Sequence, residues 1–184
     1  MFLKVKGVDG ESKDSKHKKE IDVLAWSWGL SNSGSAHVGG GAGAGKVTFN
    51  PFQVTRKTDR ASPVLFSMCC AGQHFKMVSL YLRRAGGGAG GVSSAQSQTM
   101  TSGTTFLRFD FALVAVKTIS WSGSDGDEAC KEEVTFEYGA LQIRYVQQKE
   151  DGTPMTSSDG LPQSSWNRVY NNSSFDLAQG IKAS

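Results

Sequence analysis

Cysteine and proline are scarce in this sequence, charge is nearly balanced, and no long apolar run occurs. Each shortage removes a class of protein. The 184 residues contain three cysteines, an odd number, and two of them, Cys69 and Cys70, are adjacent. That argues against a disulfide framework and for folding in a reducing cytosol. Twenty basic against seventeen acidic residues leave a net charge of +3, too mild to imply nucleic acid or an anionic membrane as partner. No stretch approaches the ~18 uninterrupted apolar residues of a membrane-spanning helix. The opening Met1-Phe2-Leu3-Lys4-Val5-Lys6 lacks the basic, apolar and small-residue order of a secretory signal, so export would use a route without one. Hydrophobic residues make up 38% of the chain, which becomes an ordinary apolar share once glycine is added, and disorder is excluded.

Glycine is present in excess. Its 22 copies are about twice the usual ~7% share. They show no three-residue period, so collagen is excluded. They concentrate in two runs, residues 39–45 and 86–91. Around these runs the pattern is mostly that of strands. Residues 2–7 alternate apolar with lysine, and a charged connection over 9–19 follows. In residues 21–28, Ile21, Val23, Ala25 and Ser27 share one face while Leu24, Trp26 and Trp28 share the other, as in a strand with bulky groups on both sides. Residues 46–57 and 75–84 alternate, and two long runs, 104–121 and 134–147, flank the turn-rich residues 122–127 as a hairpin. One short helix is expected over about residues 63–71, from Pro63 to Ala71, with Ser62 as N-cap and Gly72 closing it.

The motifs that carry chemistry fail on context. Gly40-Gly41-Ala42-Gly43-Ala44-Gly45-Lys46 has the spacing of a phosphate-binding loop. The next residue is Val47 where magnesium binding needs Ser or Thr, and an alternating segment follows where a helix is required. A surface loop is the better reading. His17, His37, His74 and the cysteines form no ligand spacing, and His17, inside a lysine run, is expected to be solvated. The acidic turn Asp125-Gly126-Asp127-Glu128 has Ala129 and Cys130 where a calcium loop needs a ligand and a glycine. No nucleophile elbow is present, Glu132, Glu133 and Glu137 form no recognisable acid–base pair, and Cys69 and Cys70 read as helix packing. The chain is therefore expected to be no enzyme, without cofactor or metal. The small-residue loop over 31–45 is long for a compact domain, and such loops are usually functional or disordered.

Several segments resemble one family. Glu20-Ile21-Asp22-Val23-Leu24-Ala25-Trp26-Ser27-Trp28-Gly29, Gly45-Lys46-Val47, and Thr55-Arg56-Lys57-Thr58-Asp59-Arg60-Ala61-Ser62-Pro63-Val64-Leu65-Phe66 are similar to the haemolysin-coregulated protein family. The likeness continues through Cys70-Ala71-Gly72-Gln73-His74 and Arg83-Arg84-Ala85-Gly86-Gly87, and ends within 134–145. The resemblance implies a mainly β protein: a β-barrel or sandwich of two sheets with one short flanking helix, the protomer of a hexameric ring. It further implies a structural tube subunit of bacterial type VI secretion, made in the cytoplasm and secreted. The implied partners are other copies of the chain in stacked rings, the spike protein, the contractile sheath, and effector proteins carried in the lumen; neither nucleic acid nor membrane insertion is implied.

On this reading residues 1–148 are the barrel domain, with glycine-rich loops at 31–45 and 86–104, and 149–184 are a polar tail too short to form an enzyme fold. The loop with Ser33, Gly34, His37, Gly39, Gly41, Gly43 and Lys46 is expected to contact the adjacent ring. Trp26 and Trp28 are expected in the core or a protomer interface. The competing readings are a stand-alone β-sandwich holding a sugar or small apolar ligand on Trp26, Trp28 and Trp121, and an effector role for the tail.

Overall fold

The computed structural model describes residues 1–33, 47–84, 105–147, 149, 155 and 161–176. Ten strands and one helix occur among them: β1 (Phe2–Val5), β2 (Ile21–Asp22), β3 (Ala25–Ser27), β4 (Leu30–Asn32), β5 (Val47–Phe49), β6 (Phe52–Lys57), α1 (Ser62–Ala71), β7 (His74–Arg83), β8 (Thr105–Ser122), β9 (Lys131–Tyr145) and β10 (Gln163–Asn167). Eight strands form one antiparallel sheet in the order β2-β1-β7-β8-β9-β6-β3, with β10 also on β9; β4 and β5 form a separate two-stranded ribbon.

The ends of the main sheet are joined by consecutive residues. β2 pairs with β1 at one end and β3 pairs with β6 at the other. Between them the Val23 N–H donates to Met1 O (3.0 Å), and the Leu24 N–H donates to Thr55 O (2.8 Å). The sheet thus curls until one stretch of chain serves both of its edges. This handover divides the single strand expected over 21–28. It also changes the facing: Ile21 and Val23 are buried, Leu24 and Ala25 are exposed, and Trp26 and Trp28 again lie against the core. The odd step from Val23 to Trp26 turns both halves inward, where a continuous strand would put Trp26 on the opposite face from Val23. The alternating segment 46–57 is likewise broken at Asn50-Pro51 into β5 and β6, as proline lacks the N–H a ladder needs.

The interior is filled by the inward positions of the long strands. Phe52, Val54, Val78, Leu80, Val114, Val134 and Phe136 are fully buried. Phe52 stacks on Phe111 (centroids 4.5 Å, 18°) and Phe111 meets Tyr138 at 4.9 Å. α1 lies over the sheet with Leu65 fully buried. Its C-terminus is the expected one: Gly72 takes a left-handed conformation (φ 62°) and its N–H returns to Cys69 O. The N-terminus is not. Ala61 occupies the N-cap position, and Ser62 lies inside the helix. The Asp59 carboxylate accepts the Ala61 N–H (2.8 Å), while Ser62 Oγ accepts the Asp59 N–H (3.2 Å). Cys69 is half-buried and Cys70 is exposed, so only the first of the two thiols packs.

The charged connection over 9–19 is also more embedded than its composition implies. His17 is buried, stacked on Phe2 (4.3 Å, 6°), and its Nδ1 lies 2.7 Å from Glu20. Gly10 passes against the backbone of Glu20 and Ile21; a Cβ there would sit 2.7 Å from the Glu20 carbonyl carbon, so only glycine fits. Asp14 anchors the same segment, with Arg83 Nη1 at 2.6 Å and the N–H groups of Lys16 and His17 at 2.9 and 3.2 Å. Desolvation pushes its carboxyl upward, but the Arg83 and backbone bonds outweigh this and hold it below the usual 3.8.

A depressed acid contributes stability above its unfolded pKa and loses it as pH falls through the folded value. Urea midpoints should therefore fall as the pH is taken below about 4. An Asp14→Asn variant should start less stable and lose less over that range; an acid limb as steep as the parent's would count against the contribution.

The segment beyond Gln148, read from sequence as a polar tail, supplies β10. Gln163–Asn167 pairs with Arg144–Ala140 on β9, and Asn167 is fully buried. β9 thus takes two neighbours along one edge, β6 beside its first half and β10 beside its second.

Candidate functional site

The most unusual surface is built on α1. Its sequence, Ser62-Pro63-Val64-Leu65-Phe66-Ser67-Met68-Cys69-Cys70-Ala71, has no charged residue. Leu65, Met68 and Cys69 face the sheet. Val64 and Phe66 face outward and are 42% and 51% exposed. A helix on the outside of a water-soluble domain normally turns polar side chains outward. Trp121, on the far end of β8, extends this patch; it is 47% exposed and its ring lies 6.2 Å from that of Phe66. Exposed apolar groups gathered in this way mark interaction surfaces.

Beneath the patch lies a buried ionic network. Strand alternation places Arg56 in line with Phe52 and Val54 on β6, and Glu132 in line with Val134 and Phe136 on β9. The register sets the two directly opposite each other. Both are fully buried, with Arg56 Nε donating to Glu132 Oε1 at 2.8 Å. The other two nitrogens are engaged as well: Nη1 donates to Asp59 Oδ1 and Nη2 to Ser62 Oγ, each at 2.6 Å. Trp121 Nε1 donates to Glu132 Oε2 at 2.8 Å. The network therefore ties β6, β9, the start of α1 and Trp121 together, and it accounts for Arg56, Asp59 and Ser62 in the segment that resembles the family.

Trp26 and Trp28 face the barrel interior. Both are half-buried against Phe109, at 5.1 and 5.9 Å between ring centroids. Trp28 Nε1 donates to the Tyr138 hydroxyl (2.5 Å), which donates to Asn50 O (3.0 Å). Burial pushes the Tyr138 phenol up, against the lowering effect of the Trp28 bond. Trp26, Trp28 and Trp121 do not form one stacking platform: the first two are packed on Phe109, and Trp121 lies beside α1.

The sequence model of the family described as "Type VI secretion system effector, Hcp" matches residues 2–145. The chain belongs to the haemolysin-coregulated protein (Hcp) family. It is 39% identical over 168 residues to Protein hcp1 of Pseudomonas aeruginosa, a match covering 91% of this chain and 93% of that protein. Among solved structures, a type six secretion system protein superposes with a TM-score of 0.76 at 29% identity, covering 94% of this chain and 98% of its own. Hcp1 from Salmonella typhimurium gives 0.68, also at 29% identity, with 94% and 96% covered. The chain is thus a type VI secretion tube protein. Hcp proteins are structural, are secreted by type VI secretion and associate with themselves into hexameric rings.

In this Hcp chain the residues expected at a ring-to-ring contact fall mainly outside the described part. Ser33 is described and exposed, just after β4. Gly34, His37, Gly39, Gly41, Gly43 and Lys46 lie outside the described residues, as does the whole of the second glycine-rich run over 86–104. Ser31 and Asn32, read as loop, belong to β4. β5, not a helix, follows Lys46, so the requirement for a phosphate-binding loop is unmet on its C-terminal side. Sequence reasoning missed the outward face of α1 and the Arg56–Glu132 pair. Both had a signal: a helix without charge, and two charges in phase with buried apolar positions.

Proposed function

We propose that this Hcp chain is a non-catalytic tube subunit whose rings close through the outward face of α1 and stack through the small-residue segment 33–46 that joins β4 to β5. The observation that carries the proposal is the charge-free helix with Val64 and Phe66 exposed beside Trp121. A cyclic ring uses a heterologous contact, in which one patch of each subunit meets a different patch of its neighbour. The α1 face supplies one such patch. Purified protein should give six-fold rings in negative-stain micrographs, and monomers alone at high concentration would overturn the ring reading.

The stacking role is supported by the antiparallel ribbon of β4 and β5, which pairs Leu30 with Phe49 and Asn32 with Val47. Small side chains on that loop suit close contact with the rim of an adjacent ring. Deleting residues 39–44 should leave single rings and abolish tubes and secretion; unchanged tubes would remove the role. Trp26 and Trp28 serve the subunit's own core in this reading, supported by their packing on Phe109. The spike protein, contractile sheath and carried effectors are the expected partners, and the protein is made in the cytoplasm before secretion.

A further inference from the structure

A second feature lies at the end of the barrel where β8 begins and β9 ends. A cavity of about 690 Å³ opens there, within the volume range of ligand pockets. Leu107, Val146 and Leu161 give it an apolar wall, and Tyr81, Arg108 and Arg144 line it as well. The strand register places Arg108 directly opposite Arg144. Two like charges in that relation repel, yet here they are held together. Asp110, fully buried, takes Arg108 through Nε (2.8 Å) and Nη2 (2.7 Å) on Oδ1 and has Arg144 Nη2 3.1 Å from Oδ2. Ser79 Oγ donates to Oδ1 from the neighbouring strand.

Among the described residues, one carboxylate between these two guanidiniums leaves one positive charge uncompensated. The geometry is also incomplete: Arg144 lies within ion-pair distance of Oδ2 but off the line of a hydrogen bond, and among the described residues that buried oxygen has no other partner. Both arginines are fixed rather than loose. Arg108 sits over the Tyr81 ring at 4.8 Å, and Arg144 Nε donates to Gln142 at 3.0 Å. Their side chains remain 30% and 41% exposed at the cavity, with the Nη1 group of each unused among the described residues. Paired guanidinium N–H groups match a carboxylate, and the adjacent wall matches aliphatic side chains.

We propose that this cavity binds an acidic, partly aliphatic peptide segment of a protein carried by the tube. Arg108 and Arg144 take a carboxylate, and Leu107, Val146 and Leu161 take its apolar neighbours. The identity of the donor as a carried protein rests on the tube reading; the chemistry of the cavity does not.

The test uses the full chain and a fluorescein-labelled peptide of alternating glutamate and leucine, followed by fluorescence anisotropy. Binding is expected, weakening with added salt. Arg144→Gln should weaken it by about tenfold, the scale of a charge-assisted hydrogen bond. Gln163→Glu, an exposed change on the rim beside Arg144 that leaves the Asp110 network intact, should do the same. Lys57→Gln, on β6 away from the cavity, should bind as the parent does. Equal binding by the two cavity variants, equal binding of a lysine–leucine peptide, or full displacement by an equal concentration of inorganic phosphate would overturn the assignment. Size-exclusion of the same samples separates the two readings. Rings that fail to bind the peptide sink the cavity proposal alone, while monomers that bind it sink the ring alone.

Discussion

Replacing Glu132 by alanine is expected to destabilise the fold by about 3 kcal/mol, at the lower end of the ~3–5 kcal/mol cost of breaking a buried ion pair. The lower end applies because Arg56 would keep Asp59 and Ser62 as partners. What it loses is the acceptor on Nε, at a position with no access to water. Trp121 would lose its acceptor too, but that indole is near solvent and can be rehydrated at little cost. For a domain whose whole stability is of order 5–15 kcal/mol, this is a large fraction, and it corresponds to a fall in Tm of roughly 6–12 °C at this chain length.

Two further variants make the origin of the loss readable. Glu132→Gln retains a neutral acceptor in the same place and should lose less. Combining Arg56→Met with Glu132→Leu removes both charges of the pair in similar volume and should recover part of the loss, because it removes the stranded guanidinium but leaves Asp59 without that partner. Urea melts of the four proteins give the comparison. A Glu132→Ala midpoint equal to the parent's would show that the pair contributes nothing to stability.

The pair also illustrates what could be read from the chain in advance. Alternation alone placed β7, β8 and β9 and the hairpin between the last two, because a period of two survives wherever one face meets the core. The helix was legible from Pro63 and Gly72, which act locally. Arg56 and Glu132 stood in phase with Phe52, Val54, Val134 and Phe136, but their pairing depends on the β6–β9 register, which joins residues 76 apart. The same limit hid the fate of His17. Its neighbours in sequence are lysines, and its neighbours in space are Phe2 and Tyr81.

The break at Val23 and Leu24 was obscured for a different reason. Both faces of that segment carry bulky groups, so nothing local marks where the chain leaves one edge of the sheet for the other. β10 was missed because Gln163-Ser164-Ser165-Trp166-Asn167 is mostly polar; its place is set by the free edge that β9 offers beyond β6. For the candidate surfaces, residue type was legible and exposure was not. The apolar helix was visible as a helix, but Val64 and Phe66 could be recognised as outward-facing only once Leu65 was seen to take the inward side.

Phe66→Asp is expected to abolish rings while leaving the folded subunit intact. Phe66 is about half exposed and its only ring contact among the described residues is with Trp121, so the change should alter subunit stability by no more than about 0.5 kcal/mol, as for surface substitutions elsewhere. In the ring the same position would be desolvated. Losing a buried aromatic anchor costs about 2 kcal/mol or more, and a carboxylate forced into an apolar contact adds the penalty of leaving water without a partner. Every contact around a closed ring repeats the defect, so a weakening of roughly thirtyfold at each one multiplies and removes the assembly at concentrations where the parent is fully associated. Light scattering after size-exclusion should give the monomer mass for Phe66→Asp and the ring mass for the parent, with superimposable far-ultraviolet circular dichroism. Phe66→Leu retains an apolar group and should preserve rings. If Phe66→Asp still elutes as a ring, α1 is not the closing surface, and its exposed apolar face must be covered by something other than a neighbouring subunit.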